Sequence, residues 1–366
     1  MDFELDDEQL ELQRVVRDIA ERECPPALVR AVVDGSDDGR GLWKTFVELD
    51  WPSLTVPADD GGMGMTAIEL VITLEELGRV ADPTAFLATT SQYVPIVRAC
   101  ADGERRTSLL GAVCAGTTGT VGFAADAVRA RRDGDGWVLD GTRTNVPAGL
   151  VADTIVVPAA TTGGGVALFL VPADAPGVDR ARQDTTTGTP EALVTLDGVA
   201  LGADAVLGPV DHAGTALAWL IEHATVAQCA VMAGVTAEAV RLTGEYTSAR
   251  QQFGRPIATF QAVGQRAADA YVDAHAVRLT MLQAAWRLSA GKPAAREVAV
   301  AKYWAASGGQ RVVHAASHLH GGVGVDRDYP LHRYFLLAKQ LELSLGGASR
   351  QLVRLGGILA AEGARP

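Results

Sequence analysis

The stretch Arg250-Gln-Gln-Phe-Gly-Arg-Pro-Ile257, followed closely by Phe260-Gln261-Ala-Val263, interrupts a long helical pattern and carries the most informative chemistry in the chain. Gly254 and Pro256 break a helix here, which leaves Arg250 in the final turn with its side chain free to leave the axis. A planar guanidinium so placed can grip a diphosphate with two parallel hydrogen bonds, and Phe253 can pack on a flat ring system. Taken alone, Arg250 reads first as a cation complementing the carbonyl end of its helix. A second stretch, His318-Leu-His320-Gly-Gly-Val-Gly324 with Tyr329-Pro330 beyond it, ends another helix on glycines. Gly321 and Gly322 allow close backbone approach to a ligand, although an ordinary glycine cap gives the same letters. The run is not the GxGxxG of a dinucleotide fold, because no strand precedes it.

Outward from these two patches the texture divides into three zones. Residues 209–366 read as long helices over 215–249, 260–288, 294–318 and 334–361, a C-terminal four-helix bundle. Residues 116–208 change to short runs at 128–132, 137–140, 154–158, 166–172 and 192–196, separated by turns such as Asp133-Gly134-Asp135-Gly136. Strands at that spacing predict a small antiparallel β domain. Residues 1–115 are mainly helical. Asp6 with Gln9 three residues on forms a capping-box pattern, and Leu12, Val15, Val16 and Ile19 make an apolar stripe. The Pro-, Asp- and Gly-dense residues 55–64 read as a loop, and 67–80 resume a helix. The fold class is therefore α+β with segregated layers.

Composition narrows the function. The 366 residues carry a formal charge of −12, which argues against nucleic-acid or anionic-membrane partners. Cys24, Cys100, Cys114 and Cys229 lie far apart without metal-ligand spacing, so neither a zinc site nor a disulfide framework is expected. The acidic start Met1-Asp-Phe-Glu-Leu-Asp-Asp is unlike a secretory signal, and no apolar run of 18 residues predicts a membrane span. A soluble, cytoplasmic protein is the expectation.

RxxFGxPI with FQ, and HGGxG with YP, together in a helical C-terminal region resemble the acyl-CoA dehydrogenase family. Phe3-Glu-Leu-Asp-Asp-Glu-Gln9, Pro57-Ala-Asp-Asp-Gly-Gly-Met-Gly64, Glu75-Glu76-Leu-Gly-Arg79, Gly136-Trp-Val-Leu-Asp-Gly141 and Ala203-Asp-Ala-Val-Leu-Gly208 extend the likeness over the whole chain. The resemblance implies an FAD enzyme, assembled as an oligomer, that removes the α-proton of an acyl-CoA while hydride leaves the β-carbon for the flavin. It places FAD diphosphate and adenine contacts on Arg250, Phe253 and Gln261, and the glycine-rich contact on Gly321 and Gly322. His318 stands at the family's nearby glutamine position. An electron-transfer partner and a second subunit, like or unlike, are further implied.

The pattern breaks where the chemistry needs a proton acceptor. An α-carbon proton must be taken by an aligned, partly desolvated base. The family's usual glutamate position falls on Leu345, in Leu345-Gly346-Gly347, and its alternative positions fall on Ala224 and Thr225. The catalytic residue is thus unknown, with Glu222 and His223 as weak candidates. Glu342, one turn before Leu345, reads as a solvated face residue. Glu222 also matches a family contact to the CoA pantetheine chain, and is the substrate-binding expectation. In the β domain, Asn145 and Pro147 of Arg143-Thr-Asn145-Val-Pro147-Ala-Gly149 stand where the family keeps an aromatic ring and a threonine beside the flavin. The loop after Gly122-Phe-Ala124 reads as shortened. Three functions follow as expectations: α,β-desaturation with a displaced base, a base-lacking or purely accessory subunit of a heteromeric dehydrogenase, and a flavin-dependent oxidase or monooxygenase on the same fold.

Overall fold

The computed structural model describes residues 3–123 and 128–363. Residues 124–127, where the shortened loop is expected, lie outside the described residues, as do Met1 and Asp2. The chain forms two compact units, one of Met1–Pro26, Ala67–Asp82 and Thr225–Pro366, the other of Ala27–Thr66 and Pro83–Ala224.

The second unit holds the sheet. Its helices are α2 (Pro26–Val33), α3 (Arg40–Glu48), the short α5 (Phe86–Ala88), α6 (Val94–Cys100) and α7 (Gly103–Cys114), with a π-helical turn at Thr89–Tyr93. The strands are β1 (Gly119–Val121), β2 (Arg129–Asp133), β3 (Gly136–Val146), β4 (Thr154–Thr161), β5 (Val166–Pro172), β6 (Val178–Arg182), β7 (Ala192–Leu201) and β8 (Val206–Leu207). They run in the order β6-β7-β3-β2-β4-β5-β8, with β1 added beside β4. The sheet is mixed rather than purely antiparallel, because β1 and β2 both run parallel to β4. The cause is topological. Chain direction reverses from β2 to β3 and again to β4, yet β4 lies beside β2 rather than β3.

Both faces of the central strands are covered, which explains their nearly continuous apolar runs. Val156, Leu168 and Leu170 face a core with Tyr93, Ile96, Val97, Leu110 and Leu220. The alternate residues Ile155, Val157, Phe169 and Val171 join Trp137, Leu139, Val194 and Val199. Register shifts in the β3–β7 ladder, between Leu139 and Gly141 and between Arg143 and Val146, supply the bend that brings these side chains together.

The first unit contains α1 (Asp7–Glu23), α4 (Ala67–Arg79), α9 (Gln261–Ser289), α10 (Ala295–His320), α11 (Leu331–Leu343) and α12 (Ala348–Gly363), together with most of α8 (Gly214–Ala249). The predicted capping box opens α1, with Asp6 accepting from the Gln9 amide at 2.9 Å and Gln9 answering at 3.3 Å. The predicted helix over 334–361 is two helices, α11 and α12. Leu345 and Gly346 adopt left-handed φ values of 55° and 97°, which no α-helix accommodates. By length and composition α8 could cross a membrane, contrary to the expectation from run length, but 61% of its most apolar window is buried inside the protein.

Helix α4 is held by charge and by contact. Glu76, 1% exposed, receives two hydrogen bonds from Arg17 at 2.8 and 2.7 Å. Glu75 receives two from the Arg278 Nε at 2.8 and 3.1 Å. Gly78 and Gly234 permit the crossing of α4 and α8, since a Cβ on Gly234 would sit 1.9 Å from the Glu75 carbonyl oxygen. Gly234→Ala is expected to force the helices apart and cost about 1–3 kcal/mol, as overpacking does. A lowered thermal midpoint with unchanged secondary structure would show this, and an unchanged midpoint would refute the tight crossing.

Candidate functional site

The two sequence patches converge in the first unit. Helix α8 stops at Ala249, and a two-stranded hairpin follows, β9 (Gln251–Gln252) with β10 (Arg255–Pro256). The Arg250 amide still bonds back to Tyr246 O at 2.8 Å, while its carbonyl accepts from the Ile257 amide across the hairpin. This pins the backbone and leaves the guanidinium exposed, without a carboxylate partner among the described residues. Helix α10 ends at His320, and Gly321 turns the chain with φ 60° and ψ −137°, a conformation open to glycine. The following 3₁₀ turn, Gly321–Val325, folds back on the helix end, where Gly324 lies against Ser317 and His320 too closely for any side chain.

Between these segments lies an open hollow of about 590 Å³, lined among others by Arg250, His318, Gly321, Gly322, Tyr246 and His320. A Cβ placed on Gly321 or Gly322 would meet nothing within 4 Å, so the turn presents bare backbone to open space. An exposed guanidinium, an exposed imidazole and an accessible glycine turn suit an elongated diphosphate ligand such as the implied FAD. Arg250, His318, Gly321 and Gly322 are thus brought together. Phe253 and Gln261 are not. Phe253 is 91% exposed at the hairpin tip with φ 54°, edge-on to Phe260 at 6.1 Å, and Gln261 is exposed at the first position of α9.

Sequence reading passed over Tyr246 and His320 as lining residues. Tyr246 lies one helical turn before Arg250 and so shares its face, a signal present in the spacing. The two rings stack at 4.4 Å and 24°. His320 is buried, and its Nδ1 lies 2.8 Å from Ala316 O, which makes Nδ1 the protonated nitrogen. Burial lowers its pKa, so the ring is neutral near neutrality and its Nε2 accepts from the Tyr329 hydroxyl at 3.2 Å.

The positions tied to proton abstraction divide between the units. In the first unit, Leu345 occupies the turn between α11 and α12, where Gln351 Nε2 donates to the carbonyls of Leu345 at 3.2 Å and Gly346 at 3.1 Å. Glu342 is not solvated as expected. Its side chain is only 20% exposed and pairs with Lys339 at 2.5 Å. It also faces the buried Lys302, whose ammonium donates to Leu341 O and whose pKa burial pushes down to about 8. Thr225 is buried on α8.

In the second unit, Ala224 is buried on the same helix, one turn from Leu220 of the core, and Glu222 and His223 are half-buried there. The His223 ring lies against Trp219, tilted by 38° with centroids 3.9 Å apart, and its Nδ1 bonds the Trp219 carbonyl at 3.0 Å. Burial lowers its pKa. Asn145 takes φ 51° at the β3 bulge, with its amide donating to Gln183 Oε1, and the Pro147 carbonyl accepts from Thr120 at 2.6 Å. No cluster of His, Cys, Asp or Glu able to hold a metal occurs among the described residues.

Comparison with known proteins agrees with this picture. The profile described as "Acyl-CoA dehydrogenase, N-terminal domain" matches residues 6–117, and that described as "Acyl-CoA dehydrogenase, C-terminal domain" matches residues 214–355. Acyl-CoA dehydrogenase FadE27 of Mycobacterium tuberculosis is 37% identical, over 98% of this chain and 99% of its own. Acyl-CoA dehydrogenase FadE28 of the same organism is 31% identical over 97% and 98%. Among solved structures, a chain of the ChsE4-ChsE5 complex from Mycobacterium tuberculosis superposes with a TM-score of 0.91 at 37% identity, covering 100% of both chains. A variant of the Tcur3481-Tcur3483 steroid ACAD gives 0.88 at 37% identity, over 98% and 99%.

Proposed function

The chain belongs to the acyl-CoA dehydrogenase family, and from that premise we propose that it is the base-lacking subunit of a heteromeric acyl-CoA dehydrogenase. One observation carries this reading: none of the family's base positions holds a carboxylate. Leu345 is apolar, and Ala224 and Thr225 are small and buried. The partner subunit then supplies the group that takes the α-proton. FAD, when bound, supplies the acceptor for the hydride leaving the β-carbon.

This chain's part is binding and orientation. Arg250 offers its fork to the FAD diphosphate, His318 hydrogen-bonds at the rim, and Gly321 and Gly322 let the backbone come close. Phe253 and Gln261, outside the hollow, contact FAD carried mainly by the partner, as a site shared between subunits requires. Glu222 contacts the pantetheine chain of the acyl-CoA. A bulky acyl group such as a sterol side chain is supported by the steroid ACAD among the relatives. Electrons pass on to a separate electron-transfer protein. Four free cysteines agree with a cytoplasmic location.

The test is co-expression with a family member that carries a glutamate at a base position, followed by flavin-to-chain stoichiometry. One FAD per two unlike chains supports the reading, whereas one FAD per chain in a protein purified alone refutes it. In the assembled complex, Arg250→Ala should weaken FAD binding about 10- to 100-fold, the range for losing a charged hydrogen-bond donor. Unchanged affinity in a fluorescence-quenching titration would remove Arg250 from the diphosphate site.

A further inference from the structure

We propose that His320 is a positioning residue for FAD, acting through Tyr329 to fix the loop that forms one wall of the hollow. The inference rests on the hollow being the FAD site. The loop begins at Gly321, directly after His320, and Tyr329 near its far end bonds back to the His320 ring. That hydrogen bond closes the loop on itself. The ring is in turn held from below by Ala316 O and from the side by Tyr246 of α8. Tyr246 and Tyr329 also meet edge to face, with centroids 6.5 Å apart. The end of α10, the loop at Tyr329 and Tyr246 of α8 are therefore joined at a single buried imidazole.

The glycine turn needs this support. Glycine loses the most conformational freedom on ordering, so a turn built on Gly321 and Gly322 keeps its shape only if its flanks are fixed. On one flank stands the end of α10, and on the other stands the His320–Tyr329 bond.

The experiment titrates FAD into the complex stripped of flavin, for wild type, His320→Phe, His320→Gln, Tyr329→Phe and the double variant His320→Phe/Tyr329→Phe. His320→Phe keeps the stack and loses the acceptor. Tyr329→Phe removes one oxygen, and remains informative even if the histidine variant folds poorly. Each should raise the FAD Kd about 3- to 10-fold, the worth of one neutral hydrogen bond. The double variant should lose no more than either single one, because both remove the same bond. Glutamine reaches the Nε2 position and should restore most of the affinity, a rescue that a role in packing alone would not give. Unchanged Kd values in the two single variants, or additive losses in the double, overturn the proposal. Arg250→Ala separates the two levels of inference. If it weakens FAD while the histidine and tyrosine variants do not, only the role of His320 fails. If it has no effect, the hollow is not the FAD site and both readings fall.

Discussion

Purified away from any partner, the chain is expected to desaturate acyl-CoA about 10²- to 10⁴-fold more slowly than the assembled enzyme, the range attributed to a positioned general base. The α-proton of a thioester is weakly acidic and leaves only when a basic group is aligned with it. Leu345 offers no lone pair, and its turn is fixed by Gln351 rather than free to admit another residue. His223 is the nearest titratable alternative in sequence to Ala224 and Thr225. Burial lowers its pKa, its Nδ1 bonds Trp219 O and its ring lies against the Trp219 indole, so Nε2 is the nitrogen through which it would act. Turnover with an artificial electron acceptor, measured for the chain alone and then with its partner, checks the expectation. Equal rates would mean that this chain carries its own base, and Glu222→Gln and His223→Gln would then identify it.

The second large effect is on stability. Arg278→Ala is expected to destabilise the first unit by about 3–5 kcal/mol near pH 8, the usual result of removing one partner of a buried ion pair. Glu75 is 4% exposed, and burial raises its pKa even with Arg278 in place. Without the guanidinium the buried carboxyl loses the main charge opposing that shift and can ionise only at a cost, beside Glu76. The sign of the pH dependence follows. A carboxyl whose folded pKa lies above its unfolded value favours the folded state when protonated, and that contribution is lost as pH rises through the folded pKa. The deficit should therefore be smaller near pH 5 than near pH 8, and Glu75→Gln in the same background should recover most of it. Urea unfolding at both pH values measures this, and equal deficits would exclude Glu75 as the cause. By contrast the Arg14 pairs with Glu11 and Asp18 are exposed, and Arg14→Ala should change little.

What could be read from the sequence follows the range of the interactions involved. The capping box at Asp6 and the limits of α4 and α9 are set by neighbours in sequence, and they stand within a residue or two of expectation. β4 and β5 were legible because burial on both faces leaves an apolar run. β1, β6 and β8 were not. Two are very short, and β6 is a largely exposed Val-Asp-Arg-Ala-Arg edge whose pairing with β7 leaves no periodic signal. The break between α11 and α12 was hidden because Leu345 has good helix propensity, and only its positive φ ends the helix. At the hollow, Arg250, His318, Gly321 and Gly322 were found through their chemistry. Tyr246 and His320 were missed because their contribution is contact with each other across two helices. Glu342 looked solvated because the buried charge of Lys302 that it faces lies 40 positions earlier, on α10.

The pairing of Glu75 with Arg278 spans 203 positions, and this distance matters before the protein is complete. At roughly 5–20 residues per second, a ribosome needs about 10–40 s to deliver Arg278 after Glu75 has emerged. Throughout that interval α1 and α4 are made but lack the helices that cover them, while the sheet-bearing unit is synthesised between. The nascent chain should therefore present α4, with its adjacent carboxylates and apolar face, to chaperones and proteases. Protease-resistant α1 and α4 should appear only once α9 has cleared the exit tunnel, and resistance in stalled chains ending near residue 224 would show that they find shelter sooner.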